Sequence, residues 1–134
     1  MPWKPSYPDE TPSLGWGVLA HATAHLPSPA DEHERFRFTD EQALQVVTWY
    51  GLDERGRFLY RRGSQEQAKG WGKSPWAGVL CIEELVGPVV FDGWDANGQP
   101  VGRPWGTKGL PPPLIQVAAV SEDQTENTYG ALYQ

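Results

Sequence analysis

A chain of 134 residues has room for one hydrophobic core. Its 17 acidic and 11 basic side chains give a net charge of −6, which argues against an independent nucleic-acid-binding module, because such modules carry a basic surface. A single cysteine excludes an intramolecular disulfide and an all-cysteine metal site. The first residues lack the pattern of a secretory leader, and no stretch approaches ~18 uninterrupted apolar residues, so we expect a cytoplasmic protein without a membrane span.

The first third of the chain contains one expected helix between irregular segments. Residues 1–13 include four prolines and predict an extended arm, and the apolar spacing over 14–26 predicts a short helix. His21 and His25 stand four residues apart, so one face of that helix holds both. Metal ligation would use such a pair, but no glutamate follows at metalloprotease spacing, so a solvated helix face is the expected interpretation. Residues 27–35 predict a polar loop.

The clearest helix start in the sequence is Thr39. Its hydroxyl is a good N-cap, Gln42 stands at the capping-box position three residues later, and two acidic side chains fall in the first turn. Gly51 is the expected stop. The buried face of this helix is expected to consist of Leu44, Val47 and Tyr50, with Val46 and Trp49 adjacent to them.

Strand and helix patterns alternate through the rest of the chain. The expected elements are a turn at 53–57, a strand at 58–62, a helix from Ser74 or Pro75 to about Leu85, a strand at 89–91, a long loop at 92–113, a strand at 114–120 and a helix that Ser121 begins. This order predicts an α/β fold with a mainly parallel sheet, in which 58–62 and 114–120 are close neighbours. The expected core comprises Leu44, Val47, Val79, Leu80, Ile82, Ile115, Val117 and Ala119.

A possible phosphate-binding loop stands between the strand at 58–62 and the helix after it. The loop consists of Lys69, Gly70, Trp71, Gly72, Lys73 and Ser74. Glycines let successive backbone N–H groups turn toward an anion, the Lys73 charge suits β- and γ-phosphates, and the Ser74 hydroxyl suits Mg²⁺. The pattern is an incomplete Walker A motif, because Gln67 occupies the place of its first glycine. The structural alternative is a glycine-rich turn before a capped helix.

Several separate blocks of the chain resemble terminase large subunits of actinobacterial phages. These blocks are 38–43 with Trp49 and Tyr50, the stretch 56–63, the loop 69–75, the stretches 91–95 and 102–106, and 117–125 with 127–129. The resemblance runs from about Leu14 over nearly the whole chain. It implies part of a P-loop NTPase (RecA-like) domain at 38–134, preceded by an N-terminal arm and helical segment at 1–37.

The resemblance also implies a function and a set of site residues. The family is the ATP-driven motor that packages viral double-stranded DNA, and its partners are the small terminase subunit and the portal protein in the bacterial host cell. Lys73 would contact the β/γ-phosphates of ATP, Ser74 would hold Mg²⁺, and Lys69 through Gly72 would complete the loop. Gln42 would lie beside the adenine, although the capping box explains the same residue.

The chain departs from the family in two respects. Relatives carry a basic residue where this chain has Gln67, and they continue into a Walker B acid, a catalytic glutamate and a nuclease domain. Asp92 follows an apolar stretch but precedes glycine, and Glu122 with Asp123 fits a helix N-terminus, so neither position is expected to hold the catalytic acid. We therefore expect ATP binding without hydrolysis by this chain alone.

Two other functions fit parts of the pattern. One is a non-catalytic protein-interaction module, in which a surface rich in Trp and Pro binds a partner and Gly-Lys-Ser is a relic. The other is a small-molecule kinase, which needs a lid and an acceptor-site acid that the sequence does not offer.

Overall fold

The computed structural model describes residues 3–28, 33–64 and 73–118. Three helices come first along the chain, namely α1 (Gly15–His25), α2 (Asp40–Trp49) and α3 (Lys73–Val86). Two short strands follow, β1 (Val90–Trp94) and β2 (Pro100–Arg103), and they pair antiparallel. The described part is thus mixed α/β. Within it, no helix is long and apolar enough to cross a membrane.

Ser13 and Gly15 hold the start of α1 directly against α2. The Ser13 hydroxyl donates to the carbonyl of Val47 at 2.6 Å, and its oxygen accepts from the N–H of Gly15 at 2.9 Å. A Cβ on Gly15 would lie 2.6 Å from Val47 Cα, so the two backbones touch at a point where only glycine fits. The predicted helix at 14–26 is confirmed as α1, and its packing on α2 is set by this contact.

The capping box predicted for α2 is confirmed. The N–H of Gln42 donates to Thr39 Oγ1 at 3.1 Å, and the N–H of Thr39 donates to Gln42 Oε1 at 3.0 Å. Two backbone donors that a helix start would otherwise leave unpaired are satisfied within four residues. Local sequence therefore suffices to begin α2 at this place.

The core lies where α1 and α2 meet the residues around Leu52 and before β1. Its main cluster comprises Leu14, Val18, Val46, Tyr50, Leu52 and Val89, and a smaller one comprises Ala22, Phe36 and Val79. Both clusters join residues from either side of position 37, and the division of the chain at 37/38 stays a prediction.

The expected core is only partly correct. Val79 is buried, whereas Leu44 is 65% exposed and Val46 takes the buried place on α2. The apolar residues of α2 cover more than one face, and contact with α1 selects the face that holds Val46. Five expected members are half-buried, and Ala119 lies outside the described residues; the half-buried ones are Val47, Leu80, Ile82, Ile115 and Val117.

The expected parallel sheet is wrong for the described residues. Residues 58–62 form only an isolated bridge between Leu52 and Phe58, and they are exposed. Residues 114–118 have no regular structure, and Leu114 is 85% exposed. A strand needs a neighbouring edge along its whole length for its backbone N–H and C=O groups. Residues 58–62 have one only at their start, where the Leu59 N–H donates to the Gly51 carbonyl at 3.0 Å, and residues 114–118 pair with no strand among the described residues. The sheet is instead the antiparallel pair β1–β2.

The β1–β2 pair confirms one prediction and corrects another. The expected strand at 89–91 is β1, shifted by one residue at its start. The expected long loop at 92–113 contains β2, because a tight turn at 95–99 returns the chain along β1. Asp95 makes that turn by accepting the N–H groups of Asn97 and Gln99 at 2.8 and 2.9 Å. The helix expected from Ser121 lies outside the described residues.

Candidate functional site

The possible phosphate loop ends where α3 begins. Lys73 is the first residue of α3 and Ser74 the second, so the predicted helix after the glycines is confirmed. The unpaired N–H groups of a helix start therefore follow Gly72 directly, and such groups attract anions. Lys69, Gly70, Trp71 and Gly72 lie outside the described residues, as does Gln67.

A groove of about 950 Å³ lies between α2, residues 60–64 and α3, and we call it the α2–α3 groove. Helix α2 contributes Leu44, Gln45, Thr48 and Trp49, and α3 contributes Trp76 and Leu80. Ser64 is the last described residue before position 65, and Trp76 lies in the first turn of α3. The groove is thus lined by residues on both sides of the phosphate-loop segment that contains Gly70 and Gly72. Its volume lies within the range of small-molecule sites, ~300–1,000 Å³.

The α2–α3 groove combines an apolar wall with two basic side chains. The rings of Trp49 and Trp76 and the side chains of Leu44 and Leu80 supply the apolar surface. Arg61 and Arg62 are exposed members of its lining. Aromatic walls suit a flat ring, and guanidinium groups suit phosphate or carboxylate.

Gln45 from α2 is one of the polar residues that line the groove. Its Oε1 is buried and has no hydrogen-bond partner among the described residues. A buried acceptor left without a donor costs about 1–3 kcal/mol. A ligand that brings an N–H donor would recover that free energy. Sequence reasoning missed Gln45, and the only available signal was its position one turn after Gln42.

Gln42, the residue implied to lie beside the adenine, does not line the groove. Its side chain is 6% exposed, and its Oε1 accepts the N–H of Thr39. The capping-box interpretation of Gln42 is therefore confirmed. Its adenine role stays a prediction, and Gln45 offers a second glutamine on the same helix.

Asp92, which the sequence analysis considered as a catalytic acid, pairs with two basic side chains. Its Oδ2 accepts from Lys108 Nζ at 2.7 Å, and Arg103 Nε lies 3.8 Å from its Oδ1. The hydrogen bond from Lys108 is the main reason why the pKa of Asp92 lies below its usual value. The carboxylate ties β1 to β2 and to the loop after β2. Glu122 and Asp123 lie outside the described residues.

His21 is engaged by a carboxylate. Its Nδ1 lies 2.9 and 2.8 Å from the two oxygens of Glu83, which is fully buried in α3. The His25 ring is 4.5 Å from the His21 ring between centroids. Among the described residues, no cluster of three or more His, Cys, Asp or Glu side chains is arranged to hold a metal. Burial raises the pKa of Glu83, and the hydrogen bond to His21 opposes that rise.

A second cavity of about 570 Å³ lies beyond Trp49, between α3 and residues 111–115. Beside it the Tyr50 hydroxyl donates to Glu84 Oε1 at 2.5 Å. Burial raises the pKa of Glu84, although hydrogen bonds from Tyr50 and Trp105 favour its charged form. Burial also raises the pKa of the Cys81 thiol, which keeps it protonated and poorly nucleophilic at neutral pH.

Comparison with known proteins gives two phage relatives. The chain is similar to the Gene 13 protein of Mycobacterium phage D29 and to the Gene 13 protein of Mycobacterium phage L5, with 39% identity over 143 aligned positions in each case. Each alignment covers 92% of this chain, which spans only 23% of the relative's length. No protein-family model matches the chain. No solved structure matches it either.

Proposed function

We propose that this chain is part of a phage terminase large subunit and binds Mg-ATP through the loop of Lys69 to Ser74. In this function the chain belongs to the motor that drives viral double-stranded DNA into the procapsid. Its partners there are the small terminase subunit and the portal protein, in the cytoplasm of the bacterial host. The domain is proposed to be part of a P-loop NTPase.

The observation that carries the proposal is the start of α3 at Lys73, directly after the glycines. A helix start placed there adds its N–H groups and its dipole to the Lys73 charge. The phage origin of both relatives agrees with a terminase. The absence of a strand at 58–62 in the described structure counts against a complete Walker A context.

The proposal includes binding but not turnover by this chain alone. The relatives are about four times as long as the stretch that matches, and in the proposal the remainder supplies the catalytic acid and glutamate. Without them no group orients the attacking water. Steady-state hydrolysis is therefore expected to equal the blank.

Isothermal titration with Mg-ATP tests the proposal. We expect a dissociation constant of about 0.1–1 mM, which at 10 mM ligand stabilises the fold by about 1.4–2.7 kcal/mol. Lys73→Ala should abolish the binding heat, and Lys4→Ala, at an exposed lysine of the N-terminal arm, should leave it unchanged. Equal heats for wild type and Lys73→Ala would refute the proposal.

A second candidate is the protein-interaction module. The observation that favours it is a run of exposed apolar side chains, in which Phe58, Leu59 and Tyr60 are 40%, 44% and 49% exposed. Consecutive exposed apolar residues are typical of a surface that a partner covers. This candidate replaces the first if the titration shows no phosphate site.

A further inference from the structure

We propose that the cavity of about 570 Å³ between α3 and residues 111–115 binds a small protonated alkylamine, with the Glu84 carboxylate as its counterion. The rings of Trp49 and Trp105 stabilise the same positive charge, and a run of prolines covers the alkyl chain. We call this site the Glu84 cavity. It is independent of the proposed function, because its lining comes from α2, α3 and residues 105–115 rather than from the phosphate loop.

Glu84 brings a negative charge to the cavity, and its hydrogen-bond partners are neutral. Its Oε1 accepts the Tyr50 hydroxyl at 2.5 Å, and the Trp105 side chain donates a second hydrogen bond to the carboxylate. A carboxylate has about four lone-pair sites, so two donors leave room for a third. Burial disfavours the charged form of this half-buried group. A bound ammonium supplies both the third donor and the opposite charge that stabilises a carboxylate away from water.

The walls of the cavity suit an organic cation. Its lining includes the rings of Trp49, Tyr50 and Trp105. The face of an aromatic ring attracts a cation within ~6 Å, and the attraction grows when the cation is shielded from water. Leu80 and the three prolines at 111–113 add apolar surface that suits methylene groups. An ammonium on an alkyl chain matches this lining better than an inorganic divalent cation, which requires several oxygen ligands.

The proline wall is tied to the residue that bonds Glu84. The N–H of Gly106, next to Trp105, donates to the Pro111 carbonyl at 3.1 Å and closes the loop between them. Each proline ring fixes its own φ angle, so the wall that follows this loop is stiff. A site whose walls are held before the ligand arrives loses less conformational entropy on binding. The volume of about 570 Å³ lies within the ~300–1,000 Å³ of small-molecule sites, which favours a free amine as the occupant.

The experiment is titration of the 134-residue chain with n-butylammonium chloride at fixed ionic strength, followed by tryptophan fluorescence. The comparison ligand is n-butanol, which carries a neutral hydroxyl on the same alkyl chain. We expect the ammonium to bind about tenfold more tightly than the alcohol, because only the ammonium gains the carboxylate and the aromatic faces. Glu84→Gln keeps an acceptor for the Tyr50 hydroxyl, removes the charge and should reduce this ratio to about one. Glu54→Gln, the same substitution at an exposed glutamate of the turn at 53–57, should behave as wild type.

The pH dependence of wild-type binding gives a second measurement. The affinity for n-butylammonium should rise as the pH increases through the pKa of Glu84, because the ionised carboxylate is the form that binds the cation. The pKa values of Tyr50 and Cys81, the other titratable groups at the cavity, are raised by burial, so both stay neutral below pH ~8. Glu83, the preceding residue of α3, pairs with His21. Glu84→Gln should therefore abolish the pH dependence, and a dependence that survives it would belong to the His21 pair.

Three results would overturn the inference. Equal affinities of the wild type for n-butylammonium and n-butanol would show that Tyr50 and Trp105 alone satisfy Glu84. A ratio that survives Glu84→Gln would place the bound cation elsewhere. Lysine blocked at both ends as an amide carries the same ammonium on a protein-like backbone and should bind more weakly than n-butylammonium. Equal or tighter binding of blocked lysine would assign the cavity to a side chain of a partner protein instead of a free amine.

Discussion

The buried carboxylate of Glu83 in α3 forms a hydrogen bond with the ring of His21 in α1. The Nδ1 of His21 lies 2.9 Å from Oε1 and 2.8 Å from Oε2 of Glu83. Glu83 has no exposed surface, whereas the His21 side chain is 28% exposed. The pair connects the first helix to the third across 62 positions of sequence. A charge inside a small core is tolerated only with such a partner.

Removal of the histidine should therefore be costly. We expect His21→Ala to lower the free energy of unfolding by about 2–3 kcal/mol, less than the ~3–5 kcal/mol of a fully buried pair because His21 is partly exposed. Urea unfolding followed by Trp fluorescence measures the change. His25→Ala, which removes an exposed neighbour on the same helix, should cost less than ~1 kcal/mol. Equal effects of the two substitutions would show that the pair with Glu83 contributes little.

The second prediction concerns pH and Glu84. Burial raises the pKa of Glu84 in the folded chain above its ordinary value of 4.5, so the folded state holds this proton more tightly than the unfolded state. The contribution of Glu84 protonation to the free energy of unfolding is fully present below pH ~4.5, and it is lost as the pH rises through the pKa of Glu84 in the folded state. Glu84→Gln keeps an acceptor for the Tyr50 hydroxyl and removes the titration. Its unfolding free energy relative to wild type should thus increase as the pH rises above ~4.5. A difference that is constant from pH 4 to 8 would contradict the raised pKa.

The third prediction compares two glycines of α1. Gly15→Ala should destabilise the fold by ~2 kcal/mol or more, because its Cβ would meet the α2 backbone at 2.6–2.9 Å. Gly17→Ala should be neutral or stabilising by up to ~0.5 kcal/mol, since the nearest atom would be 3.9 Å away and alanine favours the helix. Thermal unfolding of both variants checks the α1–α2 contact. Similar melting temperatures would mean that the helices do not approach as closely as described.

The fourth prediction concerns the phosphate loop. Gln67→Arg introduces the basic residue that the resemblance to terminases implies at this position, and, if the proposed function holds, we expect it to strengthen Mg-ATP binding about threefold to tenfold by charge attraction. Gln65→Arg makes the same change in net charge two residues earlier and should alter the affinity less than twofold. Titration of both variants gives the comparison. If both strengthen binding equally, the effect is a general one of net charge, and position 67 has no special role.

The sequence by itself determined the features whose causes are local. Thr39 and Gln42 begin α2 by bonds within four residues, and the turns at 53–57 and 95–99 each use one aspartate that accepts two nearby N–H groups. The turn at 53–57 was predicted, and the one at 95–99 was hidden inside an expected loop. The start of α3 was predicted at Ser74 or Pro75, one or two residues after its observed position, Lys73.

Only the tertiary structure decided which residues meet. On α2, Val46 is buried and the expected Leu44 is exposed, because contact with α1 selects which face of the helix is covered. The stretch 58–62 resembles a strand in sequence, but a strand forms only where another backbone edge pairs with it along its length, and here the pairing ends near Leu59. No short sequence pattern predicted that His21 pairs with Glu83. Nor did one predict that Gln45 lines the groove. Such contacts join residues that lie far apart in sequence, and their free energy depends on burial and on a partner's position, which no short pattern encodes.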